Sequence, residues 1–389
     1  MSPAISILVP DIGAPSLGAA IRLRELLHPL STEIVGPDFG TGICSLYTDA
    51  GPFTSVPAGN MYRYPDFLWA SRRLDRAIRG RLVIAVKAFM NTVPVALRRQ
   101  RQGGKAVVFL DEWDGALYAG WSPREKQIAR LKSLHHPLDD AYFPVVESMI
   151  SAMDTVLSTT HFLQKKFGGH VVHMGVDTDW FSPQPEDAVD ALKRSLGLAG
   201  KRLIVFGGVV RPHKGTEQIL EALVRLNRDE LRLLVVGPVT DYLSDLMNDA
   251  RYARWLVVAG APLDDPEGTN RRIHAQMPLY LDLADLVVLP LLDTPLAQSQ
   301  MPIKLFEALA MGKPVIGSHV SDLPEILDGC GETYPPGDCD RLAMRIGEWL
   351  DHPEIAHTLG QAAREKCRHH YSKAAAGQKI QAILTPLLT

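Results

Sequence analysis

The amino-acid sequence predicts an α/β protein built from two doubly wound parallel sheets. Short runs of valine, isoleucine and leucine alternate with longer amphipathic stretches along the chain, which is typical of buried parallel strands joined by helices. A polar segment at 182–187 interrupts the pattern, which then begins again. The 389 residues are enough for two or three domains of about 150 residues each. We therefore predict two Rossmann-like domains that face each other across a cleft, with ligands beyond the carboxyl ends of the strands.

The predicted elements follow this alternation from one end of the chain to the other. Each strand is a short apolar run that stops near glycine, proline or a polar residue, and each helix has apolar residues three or four positions apart. We predict strands at 5–9, 81–86, 106–110, 155–158, 171–173, 202–206, 231–236, 255–259, 286–290 and 314–317, and helices at 17–27, 217–226, 277–283, 303–311, 341–351 and 374–388.

Composition excludes several classes of protein. The 41 Lys and Arg residues nearly balance the 44 Asp and Glu residues, which argues against a nucleic-acid binder with a basic field. No apolar run reaches the roughly 18 residues of a membrane-spanning helix, and the first residues lack the basic region of a signal peptide. The four cysteines form no CxxC pair. We therefore expect a reducing, cytoplasmic location and no cysteine-based zinc site.

One segment late in the chain carries the clearest helix signals. Ser299 can cap a helix and Pro302 suits its first turn, whereas Gly312 is typical of the left-handed residue that follows the last turn. The start of this helix, at Ile303 and Lys304, presents backbone N–H groups and the positive end of the helix dipole, which attract phosphate. The sequence therefore predicts a seat for a diphosphate.

Glu307 lies about one and a half turns into the same helix. Its carboxylate can accept two hydrogen bonds from a ribose diol. The alternative is an ion pair with Lys304, three residues earlier, on a surface helix. The spacing leaves both interpretations open.

The loop at 207–215 joins a strand to a helix and contains two cations. Gly208 permits close approach of the backbone. Arg211 and Lys214 lie near the start of the following helix, where they suit the negative charge of a departing nucleoside diphosphate. The alternative is that both are ordinary solvated loop residues.

Five segments of the chain resemble one enzyme family and occur in that family's order. They are 147–158; 173–183, similar to a linker of the form nGvD…F.P; 206–215, similar to G…RP.KG; 279–290, similar to Y..aDv.v.P; and 299–325, the block with Glu307. Together they resemble the retaining nucleotide-sugar glycosyltransferases of family 4. The resemblance implies the GT-B fold, with an acceptor-binding domain at 1–180, a nucleotide-sugar-binding domain at 181–371 and a last helix, 372–389, that returns to the first domain.

The same resemblance implies roles for individual residues. Arg211 and Lys214 would hold the diphosphate of a UDP- or GDP-sugar, Glu307 would bind the ribose, and no metal or other cofactor would be needed. One departure is Ser299, which stands where the family usually has the first of two glutamates. The hydroxyl of Ser299 or nearby backbone N–H groups would then have to contact the sugar.

The N-terminal half carries weaker signals. Gly13 and Gly18 lie in a loop after the first strand that resembles the family's glycine-containing loop beside the donor phosphates; a simple turn is the alternative. Asp111 and Asp114 follow the strand at 106–110, where strand-end carboxylates can orient an acceptor hydroxyl or take its proton. The alternative is that they only cap and brace the loop.

Two further patterns in the sequence also fit simpler explanations. The D-x-D segments at 177–179 and 338–340 match a linker and a helix cap, so we reject both as metal sites. Residues 61–101 combine aromatic side chains with many arginines, which could contact an anionic membrane face or a lipid-linked, pyrophosphate-bearing acceptor. A solvated arginine face is the alternative.

These observations lead to one main hypothesis and two others. The main hypothesis is a metal-independent, retaining hexosyltransferase of polysaccharide biosynthesis, at the inner face of the membrane if 61–101 binds lipid, that acts on a glycan, glycolipid or small acceptor and binds no nucleic acid. The second is a sugar-nucleotide 2-epimerase of the same fold. The third, suggested by Ser299, is a catalytically weak nucleotide-binding partner subunit.

Overall fold

The computed structural model describes residues 3–388 except 264 and 266. Within them the chain forms two compact units, which we call unit 1 (residues 3–175 and 373–388) and unit 2 (residues 176–372). The sequence places the corresponding boundaries at 180/181 and 371/372.

Unit 1 is built on one seven-stranded sheet. Its strands are β1 Ile5–Leu8, β2 Thr32–Asp38, β3 Thr54–Pro57, β4 Leu82–Val86, β5 Lys105–Leu110, β6 Thr155–Ser158 and β7 His170–Val171, and its helices are α1 Leu17–Leu26, α2 Asp66–Ala77, α3 Val93–Arg101, α4 Pro123–Lys132, α5 Phe143–Met149, α6 His161–Phe167 and, at the far end of the chain, α17 Lys373–Leu388. All pairs are parallel, and the strand order is β3-β2-β1-β4-β5-β6-β7.

The last helix belongs to unit 1 because α17 packs on α1. The Gln381 side-chain amide donates hydrogen bonds to the backbone carbonyls of Leu26 and His28, at 3.0 and 2.8 Å. Gly377 faces the same turn, and a Cβ there would lie 2.9 Å from the Leu26 carbonyl oxygen. The helix therefore closes over the end of α1.

Unit 2 repeats the parallel arrangement. Its strands are β8 Arg202–Gly207, β9 Leu231–Val236, β10 Leu256–Ala259, β11 Val287–Leu289, β12 Val315–Ser318 and β13 Glu332–Tyr334, and its helices are α7 Glu186–Ser195, α8 Thr216–Leu226, α9 Asp241–Asn248, α10 Thr269–Ala275, α11 Met277–Asp282, α12 Pro295–Ser299, α13 Ile303–Ala310, α14 Leu323–Leu327, α15 Cys339–Asp351 and α16 Pro353–His370. A parallel bridge between Ile204 and Leu286 joins the sheets β10-β9-β8 and β11-β12-β13.

Both sheets are doubly wound, as the sequence predicts. The chain runs outward from β1 to β3 and then returns to place β4 on the other side of β1; β8 and β11 have the same relation in unit 2. Ligands of such sheets bind at this reversal, beyond the carboxyl ends of the strands. The fold thus singles out the loops after β1 and β4 in unit 1 and after β8 and β11 in unit 2.

The contact between α13 and α16 gives a prediction about stability. Gly360 in α16 lies on the backbone of Gly312, where α13 ends, and a Cβ at Gly360 would collide with the Gly312 carbonyl oxygen. We expect Gly360→Ala to lower the free energy of unfolding by about 1–3 kcal/mol, because backbone atoms cannot easily give way.

The matched control is Gly347→Ala in α15, where the nearest atom to the new Cβ would be the movable Leu226 Cδ2 at 3.3 Å. This variant should be at least as stable as the parent, because alanine favours the helix. Urea unfolding curves compare the two variants, and equal midpoints would contradict the packing argument.

Candidate functional site

Glycines at the carboxyl ends of β8, β9 and β10 let the backbone of unit 2 approach itself closely. Gly208 has a φ of +93°, and a Cβ on Gly237 would lie 2.9 Å from the Gly208 carbonyl carbon. A Cβ on Gly208 itself would lie 2.6 Å from Lys304 Nζ. The ammonium group of Lys304 therefore occupies the space that glycine leaves open. The structure thus brings together Gly208 and Lys304, which the sequence predicts separately as contacts of the nucleotide-sugar donor.

The loop after β8 is held at the point where the sheet reverses. Gly215 has a φ of +66° and packs against the carbonyl oxygen of Pro290, which directly follows β11. The Gln218 side-chain amide donates to the same oxygen at 2.7 Å, and its own oxygen accepts bonds from Tyr334 Oη and the Gly337 N–H. A buried glutamine thus ties the loop to β11 and to the chain after β13.

The two cations of this loop have different surroundings. Lys214 Nζ donates to the Val209 carbonyl oxygen at 2.7 Å. Arg211 is exposed, and within the described part of the chain its guanidinium forms no hydrogen bond or ion pair. Arg211 therefore carries a charge that no carboxylate of the described residues neutralises, which suits an incoming anion.

Helix α13 begins at Ile303, as the sequence predicts, but the residues before it differ from the prediction. Thr294 caps the preceding helix α12 by accepting the Ala297 N–H at 3.2 Å, and Ser299 is the last residue of that helix. The prediction that Ser299 caps α13 is therefore wrong: its fully buried hydroxyl donates to the Leu296 carbonyl oxygen at 2.7 Å. Pro302 is extended and precedes the first turn rather than lying in it.

The predicted end of α13 is confirmed. Gly312 has a φ of +68°, its N–H bonds to the Leu309 carbonyl, and the Lys313 N–H bonds to the Ala308 carbonyl. This is the Schellman arrangement, which only a residue tolerant of positive φ completes easily.

Glu307 lies half-buried on α13. Its carboxylate makes no hydrogen bond or ion pair with any described residue, Lys304 included. The surface ion pair that the spacing allowed is therefore not formed. The carboxylate remains available to accept hydrogen bonds from a ligand.

The carboxylates after β5 surround a lysine that sequence reasoning missed. Lys87 directly follows β4, and its N–H bonds to the Phe109 carbonyl of β5 at 2.8 Å. Lys87 Nζ lies 3.0 Å from Asp114 Oδ1 and 3.6 Å from Asp111 Oδ1, and it also contacts Glu112. The structure therefore brings Asp111 and Asp114 together around one buried ammonium.

Burial and charge shift the pKa values in this cluster. Burial alone lowers the pKa of Lys87, but the attraction of Asp111, Asp114 and Glu112 outweighs it and the pKa is raised. Burial raises the pKa of Asp114 to about 6, against the opposing pull of Lys87. The pKa of Asp111 is raised for the same reason. Asp114 can thus change its charge near neutral pH.

This cluster forms one wall of a pocket of about 550 Å³ in unit 1. The pocket lies at the reversal of the sheet, between the loops after β1, β4 and β5, and Asp11 and Asn91 also line it. Sequence reasoning overlooked both residues as well as Lys87. The available signal was position, since each lies in a loop directly after a buried strand.

Other predicted residues have structural roles inside their own unit. A Cβ on Gly13 would collide with Thr41 Oγ1, and one on Gly18 with the Tyr47 hydroxyl. Packing within unit 1 thus accounts for both glycines, and their approach to donor phosphates stays a prediction. Asp177 accepts backbone N–H groups in a turn, and Asp338 caps α15.

The described residues contain neither a cluster of metal ligands nor a helix that could span a membrane. No group of three or more His, Cys, Asp or Glu side chains among them could hold a metal ion. Across residues 3–263, 265 and 267–388, each helix is too short or too polar to cross a bilayer.

The basic segment 61–101 does present aromatic side chains at the surface. On α2, Trp69 is 58% exposed, and the guanidinium of Arg72 lies 5.1 Å from its ring centre. Contact of this segment with a membrane stays a prediction.

A segment of unit 2 is similar to a known protein family. Residues 200–352 match the family model described as Glycosyl transferases group 1. This segment is a glycosyl transferases group 1 domain. It contains the loop with Arg211 and Lys214, the helix with Glu307 and the reversal of the sheet.

Curated relatives extend the similarity beyond this domain. The chain is 27% identical over 54% of its length to a GDP-mannose-dependent α-(1-6)-phosphatidylinositol monomannoside mannosyltransferase from Mycolicibacterium smegmatis, of which 54% is covered. It is 26% identical over 62% of its length to the D-rhamnosyltransferase WbpZ from Pseudomonas aeruginosa, of which 60% is covered. The chain thus spans about half the length of the curated relatives it matches.

Solved structures match the whole chain. HepE from Anabaena in complex with UDP is 17% identical, with a TM-score of 0.72 and 98% of this chain and 99% of that chain covered. A sucrose-phosphate synthase from Thermosynechococcus elongatus is 18% identical, with a TM-score of 0.71 and 98% of both chains covered. These likenesses confirm the predicted GT-B fold class.

The lysine cluster of unit 1 gives a second prediction. Lys87→Met would leave Asp111, Glu112 and Asp114 buried without their cation, so at neutral pH we expect a loss of about 3–5 kcal/mol in the free energy of unfolding. Burial raises the pKa of Asp114 to about 6 against the opposing attraction of Lys87. Without that cation the folded variant takes up protons at a higher pH than the parent, so it gains stability relative to the parent as pH falls. The loss in the variant should therefore shrink from neutral to mildly acidic pH.

The matched control is Lys105→Met. Lys105 Nζ pairs with Asp154 at 3.2 Å at a partly exposed site, so its loss should cost less than about 1 kcal/mol. Urea unfolding of both variants across this pH range makes the comparison. A Lys87→Met penalty that stayed constant with pH would contradict the cluster's electrostatics.

Proposed function

We propose that this protein is a metal-independent, retaining glycosyltransferase that moves a hexose-type sugar from a nucleoside diphosphate to a hydroxyl group. The observation that carries the proposal is the arrangement at the sheet reversal of unit 2. There an exposed Arg211 without a carboxylate partner lies in the same loop as Gly208, and Gly208 contacts Lys304 at the start of α13. Cations and a helix N-terminus in one place favour a diphosphate.

Each residue has a chemical role in this reaction. When the bond between the anomeric carbon and the diphosphate oxygen breaks, its electron pair stays on the phosphate. Arg211, Lys214 and the first N–H groups of α13 stabilise that charge. Glu307 accepts hydrogen bonds from the ribose diol. The acceptor hydroxyl attacks on the face that the phosphate leaves, and a phosphate oxygen takes its proton. Catalysis then depends on positioning and on stabilisation of the leaving group.

The names of the relatives and structural neighbours suggest GDP- and UDP-sugars as the first donors to test. One of them is GDP-mannose-dependent by name, and a structural neighbour was solved with UDP and with UDP-glucose. A thermal-shift screen against UDP-, GDP-, ADP- and dTDP-sugars should find a stabilising donor. NMR of the product should then show the anomeric configuration of the donor. An inverted product would contradict the retaining mechanism, and an epimer formed without acceptor would favour the epimerase hypothesis.

The cationic loop gives the next prediction. Arg211→Ala and Lys214→Ala should each lower kcat by roughly 100-fold or more, because each removes a group that stabilises the leaving diphosphate. Initial rates at saturating donor measure the effect. Arg194→Ala on α7, an exposed arginine outside the site, is the control and should leave the rate unchanged. Rates equal to the parent's in both loop variants would contradict the proposed mechanism.

Glu307 should affect donor binding more than chemistry. Glu307→Gln replaces a charged acceptor with a neutral one, so KM for the donor should rise by roughly tenfold while kcat changes little. Glu186→Gln, at the exposed start of α7, is the control. A variant with unchanged KM and reduced kcat would place Glu307 in the chemical step instead of the ribose site.

A further inference from the structure

The pocket of unit 1 has a charge that restricts what it can hold. Four carboxylates line it, those of Asp11, Asp111, Glu112 and Asp114, and the single cation among its lining residues is Lys87. If Glu112 is left out of the count, the three aspartates still outnumber the one ammonium group of Lys87. That ammonium is already engaged by Asp114 at 3.0 Å and Asp111 at 3.6 Å. The carboxylates of the lining therefore outnumber its cation, and the pocket is negative when they are ionised.

Acceptor atoms in the wall point to a ligand rich in hydrogen-bond donors. Asn91 is 1% exposed and lines the pocket; its amide donates to the Pro10 carbonyl at 2.7 Å, while its Oδ1 accepts no hydrogen bond from the described residues. Asp114 Oδ2 is likewise buried without a hydrogen-bond donor among the described residues, and Asp111 Oδ1 has only the distant Lys87 ammonium at 3.6 Å. Buried acceptors without donors are costly unless a ligand or water supplies them.

The pocket lining also includes aromatic side chains. They are Phe39, Tyr62 and Phe89, and the rings of Phe39 and Tyr62 pack with centroids 4.8 Å apart. Such rings can cover the C–H face of a saccharide ring, while the carboxylates and Asn91 accept bonds from its hydroxyl groups. A sugar or cyclitol ring has both kinds of surface.

We propose that this pocket binds the acceptor as a polyhydroxylated ring that is uncharged or carries an amino group, and that it rejects rings bearing a carboxylate or phosphate. The inference rests on the proposed function, because only a transferase requires a second substrate. All the residues proposed to bind the nucleotide-sugar donor belong to unit 2. The pocket at the sheet reversal of unit 1 contains none of them and can therefore bind the acceptor. An ammonium would gain from the surplus negative charge, whereas an anion would be repelled.

Three related sugars test the proposal without a donor. Glucosamine, glucose and glucuronate share one ring and differ in charge, and saturation-transfer NMR measures their dissociation constants at neutral pH and matched ionic strength. We expect glucosamine to bind more tightly than glucose, and glucuronate to bind at least roughly tenfold more weakly than glucosamine. Equal or tighter binding of glucuronate, or no binding of any of the three, would overturn the proposal.

Two variants place the binding in this pocket. Asp11→Asn keeps an oxygen to accept the Gly13 N–H, which Asp11 Oδ1 accepts at 2.7 Å, but removes a charge; it should reduce the preference for glucosamine over glucuronate severalfold. Asn91→Ala should weaken the binding of all three sugars by a similar factor. Asp66→Asn, at the exposed start of α2, is the control and should change nothing. Affinities that neither pocket variant alters would show that the sugars bind elsewhere and would overturn the proposal.

Donor hydrolysis and sugar transfer, assayed on the same protein, separate this inference from the proposed function. The predicted order of sugar affinities without any transfer would support the pocket and reject the transferase. Transfer to a uronate or phosphorylated acceptor in preference to neutral and amino sugars would support the transferase and reject this inference.

Discussion

The contact between Gly208 and Lys304 is the constraint on which the site of unit 2 depends. A side chain at residue 208 would occupy the position of the Lys304 ammonium, and the φ of +93° excludes most residues other than glycine. Because the side chain is absent, the end of β8 and the start of α13 meet directly. The loop that carries Arg211 and Lys214 is thereby in contact, at Gly208, with the first turn of α13. The bond from Gln218 to the Pro290 carbonyl holds the same loop from behind.

The two units differ in the sign of their charge at equivalent places in the sheet. At the reversal of unit 2, Arg211, Lys214 and Lys304 contribute positive charge. At the reversal of unit 1, the carboxylates exceed the one lysine. A positive surface stabilises a departing diphosphate, and an acidic, aromatic pocket favours hydroxyl and amino groups. One architecture, used twice, thus suits the two different partners of a group transfer.

The sequence predicted the parts of this protein that depend on local chemistry. Buried strands such as β8 and β9 are continuous apolar runs, and Gly312 followed by Pro314 marks the end of α13 within one residue. It missed β2, which contains Gly36 and Pro37, and β3 and β13, which are four and three residues long. Strands that are short or contain glycine and proline form here because neighbouring strands of the sheet pair with them. That pairing leaves no pattern in the local sequence.

The same distinction explains which site residues could be found. Arg211, Lys214 and Glu307 stand in short motifs that resemble those of a known family, so the sequence could propose them as candidates. Lys87 has no motif, and it meets Asp111 and Asp114 only because β4 and β5 pair in parallel and end at the same edge. Ser299 was misjudged because Thr294 and Pro295 start a separate helix just before α13.

The position of Ser299 also bears on how the proposed donor would be held. Its hydroxyl is fully buried and donates to Leu296 within its own helix turn, so it does not present a negative charge as a glutamate would. Under the proposed function, recognition of the donor then rests on the diphosphate and the ribose, which meet Arg211, Lys214 and Glu307. The diphosphate is common to all nucleoside diphosphate sugars and the ribose diol to all of them except the dTDP-sugars, so discrimination among sugars has to come from other residues.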